Sequence, residues 1–308
     1  MSMSDKTKAA KPRKAQTEKK MSPALSVGDV KTQFAEATTL KDAVGLIRNA
    51  GALHKTYSHY TTLRTLLPLI EHGEWWLTRA TSKQFDDLIE SRKYGEKETL
   101  RRLYFTCFSY QQSESAAMWR LYSDCGDDAV RIILSKTVLK TWVEGLMAKE
   151  LRVYPIRGGE VDRSKCLVVK SASVYDVLYA SVEDGDGACV RARSLCWNDC
   201  FTKAIDDLRE EKRSAGASGV LKDYEWRFEY ESRLAVELAE DAGVDCDRIA
   251  VEVPKDVLAK MTFTRSPWVD YEKRIADAMR DARVGRAMKL DFVKPSVLSG
   301  ALEKWRSK

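Results

Sequence analysis

The spacing of hydrophobic positions along this chain changes period repeatedly, and each change predicts an element. Within Val27–Ala52, Leu40, Ala43, Val44 and Ile47 recur at helical spacing and predict a helix in the second half of the segment. Tyr57–Tyr60 alternates as a short strand. Leu63, Leu66, Leu67 and Ile70 then form the apolar stripe of a helix with Thr61 or Thr62 as N-cap and a stop near Gly73, and Trp75–Thr78 alternates again. Strands are predicted at Leu103–Tyr110, Ala129–Leu134, Leu151–Ile156, Ser173–Ala180 and Asp247–Pro254. Ala117, Met118, Leu121 and Tyr122 predict a short helix, and Ser135–Ala148 an amphipathic one. Glu183–Gly187 reads as an acidic turn, Cys189–Arg213 as helical, and Ser214–Gly219 as a flexible connector. Asp256–Lys260 predicts a helical turn, Thr262–Trp268 a last strand or loop, and Tyr271–Met288 a basic amphipathic helix.

The stretch Tyr224–Leu238 carries the clearest alternation. Trp226, Phe228, Tyr230, Leu234 and Val236 fall on one side of a period-two pattern, with Arg227, Glu229, Glu231 and Arg233 on the other. That predicts one strand with an apolar face and an ionic face. Strand rise would set Glu229 and Glu231 about 7 Å apart on the same face. The ionic face could equally lie in water and pair with a neighbouring strand.

Strands outnumber βαβ units, and P-loop, Rossmann and nucleophile-elbow glycine patterns are lacking, so the expected class is α+β. The expected organisation is a disordered basic tail over 1–26 and a single compact domain over 27–308. Composition refines this picture in three ways. Residues 1–20 hold seven lysines and arginines against two acids, so +5 of the +6 net charge sits in the tail, and the basic pI does not establish a nucleic-acid groove on the folded part. Seven scattered cysteines fit reduced thiols in a cytoplasm, and LCWNDC lacks the further ligands a zinc site needs. No stretch reaches the roughly 18 apolar residues of a membrane span, so no membrane partner is expected.

Several separated residues carry candidate chemistry. His59 is predicted at a strand end just before a helix N-terminus, where N–H groups favour anions. Trp119, Arg120 and Tyr122 combine stacking surfaces with a fixed positive charge, a useful set for a nucleotide. Asp86, Asp87 and Glu90 form an acidic loop able to hold Mg²⁺ or to begin a helix. Together, His59-Tyr60-Thr61, the Asp86–Glu90 loop, Cys107-Phe108-Ser109, Trp119–Tyr122 and Trp226–Arg233 resemble the bacterial domain-of-unknown-function family 2971 over about residues 55–270. The chain differs in having Asp86 where that family usually has asparagine.

The layout is similar to that of ADP-ribosyltransferases, which implies a split mixed or antiparallel sheet flanked by helices and NAD as the substrate cofactor. On this resemblance Glu231 would hold the nicotinamide ribose and stabilise a ribosyl cation, and Glu229 would orient or deprotonate an acceptor. His59 would bond the adenosine-side ribose and Tyr60 would help form the slot. Arg120 would meet the pyrophosphate and Tyr122 or Trp119 would stack on nicotinamide, with Arg233 in the same NAD-binding set. No metal is expected. The implied partners are a nucleic-acid or protein acceptor and a regulatory protein, in a toxin or phage-defence setting. A second expectation is a non-catalytic nucleotide or nucleic-acid sensor using the same cleft with the basic tail. A third is a metal-dependent nuclease built on Asp86, Asp87, Glu90, Glu229 and Glu231.

Overall fold

The structure, a computed structural model, describes residues 25–82, 97–122, 129–185, 189–202, 219–239, 245–266 and 293–294. The tail through residue 24, the loop with Asp86, Asp87 and Glu90, residues 214–218 of the connector and the helix expected over 271–288 lie outside the described residues.

In chain order the elements are α1 (Val27–Glu36), α2 (Leu40–Ala50), β1 (Thr56–Thr62), α3 (Leu63–His72), β2 (Glu74–Arg79), α4 (Lys97–Arg102), β3 (Leu103–Ser109) and α5 (Ala116–Leu121). They continue with β4 (Ala129–Ser135), α6 (Lys136–Met147), β5 (Val153–Arg157), β6 (Glu160–Val161), β7 (Val169–Asp176), β8 (Leu178–Gly185), β9 (Cys189–Trp197) and β10 (Cys200–Phe201). The last are β11 (Leu221–Asp223), a 3-10 turn over Tyr224–Glu229, β12 (Glu231–Leu238), β13 (Arg248–Glu252), α7 (Lys255–Leu258), β14 (Thr262–Arg265) and β15 (Val293–Lys294). Local chemistry sets many boundaries. Ser26 closes a capping box on α1, Thr62 accepts from Thr65 N to start α3, and Gly73 ends α3 in the left-handed region at φ 67°.

The larger sheet runs β15, β14, β4, β1, β3, β2, β13, β5, β6, with β12 added on β3 and β7 on β12. A smaller sheet runs β10, β9, β8, β11. Strand pairs are antiparallel apart from β14 with β15 and β11 with β8, so the α+β expectation holds. One face of the larger sheet packs Tyr57, Trp75, Leu77 and Ile249 against α3 and α6, including Leu66, Leu69 and Trp142. On the other face Phe105, Tyr175 and Ala235 pack with Val30, Phe34, Leu40 and Ile47 of α1 and α2 and with Trp197 of the smaller sheet. Among the described residues no helix is long and apolar enough to cross a membrane.

The sheet forks at β3. One edge of β3 pairs with β12 from Leu103 to Ser109. On its other edge, β2 meets only Tyr104 and Phe105, and β1 meets only Ser109. β1 instead pairs along its whole length with β4. Thr106, Cys107 and Phe108 therefore face a gap between β1 and β2, and a pocket lined by His59, Glu229 and Glu231 lies beside it.

Four sequence expectations change. The strand expected over Ser173–Ala180 is the end of β7 and the start of β8, which meet at Val177, and β8 continues through Glu183–Gly185 in place of the expected turn. The segment from Cys189 is not helical through residue 202: it forms the hairpin β9–β10, turned by Asn198 and Asp199 at φ 47° and 61°. Asn and Asp tolerate the left-handed region a tight hairpin requires, and the helical spacing of apolar residues there was coincidental. The stretch Tyr224–Leu238 is not one strand. Its first half is the 3-10 turn, and only Glu231–Leu238 alternates as a strand, with Leu234 and Val236 in the core beside α6. Phe228, expected on the apolar face, is 36% exposed.

Candidate active site

The break inside Tyr224–Leu238 creates the site. Asp223 caps the 3-10 turn through Oδ1, which accepts from Glu225 N at 3.1 Å. Tyr230 then takes the left-handed region at φ 47°, ψ 56°, a strained backbone for a residue with a Cβ, of order 1–3 kcal/mol. It is held there by three backbone contacts: Tyr230 N–H donates to Arg227 O, Tyr110 N–H donates to Tyr230 O at 2.8 Å, and Glu231 N–H donates to Tyr179 Oη at 2.8 Å. The left-handed step at Tyr230 breaks the strand between Glu229 and Glu231, and both carboxylates converge on one lysine. A continuous strand would hold them in a row.

Both carboxylates meet at Lys222 on β11. Lys222 Nζ lies 2.5 Å from Glu229 Oε2 and 3.0 Å from Glu231 Oε2, with its ammonium 4.9 Å from the Trp226 ring centre. Arg233 Nε donates to Glu231 Oε1 at 2.6 Å, and its Nη1 donates to Gly219 O at 3.1 Å. Tyr122, at the end of α5, donates its hydroxyl to Glu229 Oε1. Gly219 sits at φ 70°, and a Cβ there would fall 2.1 Å from Phe105 Cζ, so only glycine allows this carbonyl to approach Arg233. Three of the four ionic residues are interior: Glu229, Glu231 and Arg233 are each 1–3% exposed, whereas Arg227, on the 3-10 turn, is exposed.

Burial and partners separate the two acids. For Glu231 desolvation favours the neutral form, but the Arg233 guanidinium and the Lys222 ammonium outweigh it and hold the carboxyl well below the usual range. For Glu229 desolvation dominates, the Glu231 charge adds to it, and Lys222 compensates only in part, so its carboxyl is pushed up to about 7. One carboxylate is a permanent anion and its neighbour exchanges a proton near neutrality, the division of labour expected of acid–base chemistry. Burial likewise raises the Tyr122 hydroxyl, reinforced by Glu229, so it stays a donor.

His59 occupies the gap in the sheet. It lies within β1, three residues before the N-cap of α3, because β1 runs on to Thr62. Its Nδ1 donates to Cys107 O at 2.8 Å, satisfying a carbonyl on the unpaired edge of β3, and its ring tilts on Trp75 at 5.0 Å. Burial lowers its pKa and favours the neutral ring, which leaves Nε2 as an acceptor. A narrow pocket of about 60 Å³ is lined by His59, Tyr60, Cys107, Tyr122, Glu229 and Glu231, among others. It adjoins a cleft of about 790 Å³ that shares His59, Tyr60, Cys107 and Tyr122 and extends past Trp76, Thr78 and Arg248. The cleft is of the size that takes small ligands.

The structure therefore brings His59, Tyr60, Tyr122, Glu229 and Glu231 together around the pocket, with Arg233 behind Glu231, while Trp119 and Arg120 lie elsewhere. Trp119 is fully buried, edge-on to Tyr60 at 5.0 Å, with its indole N–H donating to Glu114 Oε2 at 3.4 Å, so it packs and has no face for nicotinamide. Arg120 is exposed on α5 and does not line the cleft. Arg233 is buried under Gly219, with Nε engaged by Glu231 and Nη1 by the Gly219 carbonyl. Sequence reasoning missed Lys222, whose only signal was a lysine directly after the apolar pair Val220-Leu221, and it singled out Cys107 without giving it a role, though Cys107 lines the pocket with Glu231. Among the described residues no group of three His, Cys, Asp or Glu side chains could hold a metal ion.

Comparison with protein-family models, curated proteins and solved structures found no match.

Proposed function

We propose that this chain is an NAD-dependent enzyme of the ADP-ribosyltransferase type, with its reactive end in the narrow pocket between His59 and the two glutamates. The observation that carries the reading is that His59 of β1 and Glu231 of β12, far apart in sequence, line one pocket at a fork in the sheet. The neutral His59 would accept a ribose hydroxyl through Nε2. Glu231, held ionised, would sit where positive charge develops as the glycosidic C–N bond breaks and its electron pair leaves with nicotinamide. An acceptor nucleophile on a nucleic acid or protein would then bond to the ribose carbon, its proton passing to ionised Glu229. Lys222, Arg233 and Tyr122 position these carboxylates. The family 2971 resemblance and an ADP-ribosyltransferase-like form of the forked sheet belong to this proposal.

The test is NAD cleavage and transfer by Glu231→Gln, with NAD binding by His59→Ala measured calorimetrically beside wild type. Glu231→Gln is expected to lower turnover by about 10²–10³ while retaining NAD binding, and His59→Ala to weaken binding. Unchanged turnover in folded Glu231→Gln protein would sink the transferase reading. One observation favours a second reading, a nucleotide-binding module without catalysis: both Glu231 oxygens are already engaged by Arg233 and Lys222. NAD binding that is never followed by nicotinamide release would select it.

A further inference from the structure

The cleft continues beyond His59 along the β2–β13 pair. The register sets Trp76 opposite Ala250 and Thr78 opposite Arg248. Trp76, Thr78 and Arg248 therefore share one sheet face, the one opposite Trp75, Leu77, Ile249 and Val251 of the core. All three line the cleft.

Arg248 differs from the arginines around it. Its two acidic neighbours in sequence are taken by Arg79, whose Nη1 meets Asp245 at 2.9 Å and whose Nη2 meets Asp247 at 2.6 Å. Arg233 serves Glu231 and Arg131 lies beside Glu114. Among the described residues Arg248 makes no ion pair and is the one lysine or arginine lining the cleft. Beside it, Gly159 joins the cleft to a second hollow of about 480 Å³ that Arg248 also lines, so the guanidinium stands where the two meet. Two residues along β2, the Trp76 indole N–H is buried without a partner among the described residues. Buried donors are nearly always satisfied, so an orphan N–H in a ligand-sized cleft marks a place where a ligand acceptor belongs. A guanidinium without a carboxylate, next to an indole plane, is the pairing that recognises phosphate attached to an aromatic base.

We infer that Trp76 and Arg248 form a phosphate-recognising subsite at the outer end of the cleft, which takes a nucleotide with its phosphates directed away from Glu229 and Glu231. The inference deepens the proposed function, since it assigns the role expected of Arg120 to another residue, yet it needs only that the cleft bind a nucleotide. A phosphate there adds charge-assisted hydrogen bonds to Arg248, whereas the inner cations Lys222 and Arg233 are already neutralised by carboxylates.

The experiment is calorimetric titration of wild type, Arg248→Gln, Arg248→Lys and Trp76→Leu with ADP and with NAD, at ~50 and ~200 mM salt. Arg248→Gln is expected to weaken ADP about tenfold or more and to flatten the salt dependence, with Arg248→Lys intermediate and thermal midpoints near wild type. Trp76→Leu should weaken ADP at both salt concentrations alike. Arg248-dependent ADP binding without NAD binding keeps the subsite and removes the transferase reading. NAD binding that depends on His59 but ignores Arg248 does the reverse. Failure of wild type to bind either nucleotide overturns both.

Discussion

Residues 231 and 232 are neighbours on β12, yet each anchors a buried polar network on a different face, and the two networks differ in kind. Ser232 donates to Asp176 Oδ1, and Asp176 Oδ2 accepts from Trp197 Nε1 at 2.8 Å and from His54 Nε2 at 2.7 Å. His54 in turn stacks on Tyr110 with ring centres 3.7 Å apart. This carboxylate is enclosed by matched donors and lines none of the hollows around the fork. Glu231 is enclosed by cations and by a second acid, and it borders a pocket open to a cleft. Burial and hydrogen bonding alone therefore do not mark a site. Concavity, competing charges and a carboxyl pushed toward neutrality do.

The largest expected effect that sharpens this contrast is Arg233→Met. It leaves Glu231 as a buried anion with one cation, and unfolding by denaturant should show a loss of about 3–5 kcal/mol. Asp176→Asn should lose less, about 1–3 kcal/mol, because an amide keeps part of the donor set satisfied. It should leave NAD and ADP binding unchanged. If Asp176→Asn weakened nucleotide binding as much as His59→Ala, the two networks would not be separate and the contrast would collapse.

The smallest effect is in pH. The Glu229 carboxyl loses its proton near 4.5 when unfolded but near 7 when folded, so the folded state holds an extra proton between those values. Its stabilising contribution is present below about pH 4.5 and is lost as pH rises through about 7. Glu231 works oppositely: its lowered pKa stabilises above about 4.5 and is lost as pH falls. Thermal midpoints of wild type should decline relative to Glu229→Gln from about pH 5 to pH 8. Parallel curves for the two proteins would show that Glu229 does not titrate in that window.

Much of the secondary structure was legible in the sequence because its signals are local. Thr62 as N-cap, Gly73 as the stop of α3 and the stripe Leu40, Ala43, Val44, Ile47 each act within a turn or two of backbone, and β1 to β5 fall where their short apolar, turn-bounded runs predict strands. His59, Glu229 and Glu231 could also be singled out, as rare or paired chemical groups in apolar settings. Tertiary structure decided the rest. Alternation through Tyr224–Leu238 cannot show that Tyr230 breaks the strand, since that backbone is held by Tyr110 and Tyr179 from elsewhere. Nor can it show that Glu229, Glu231 and Arg233 are covered, which depends on Gly219 just before β11 and Lys222 within it. The sequence determined which segments turn, coil or extend and supplied the acids. The fold decided which of those acids share a lysine, which keeps its charge and which tryptophan is left facing a cleft, because each of those outcomes is a sum of contacts between residues distant along the chain.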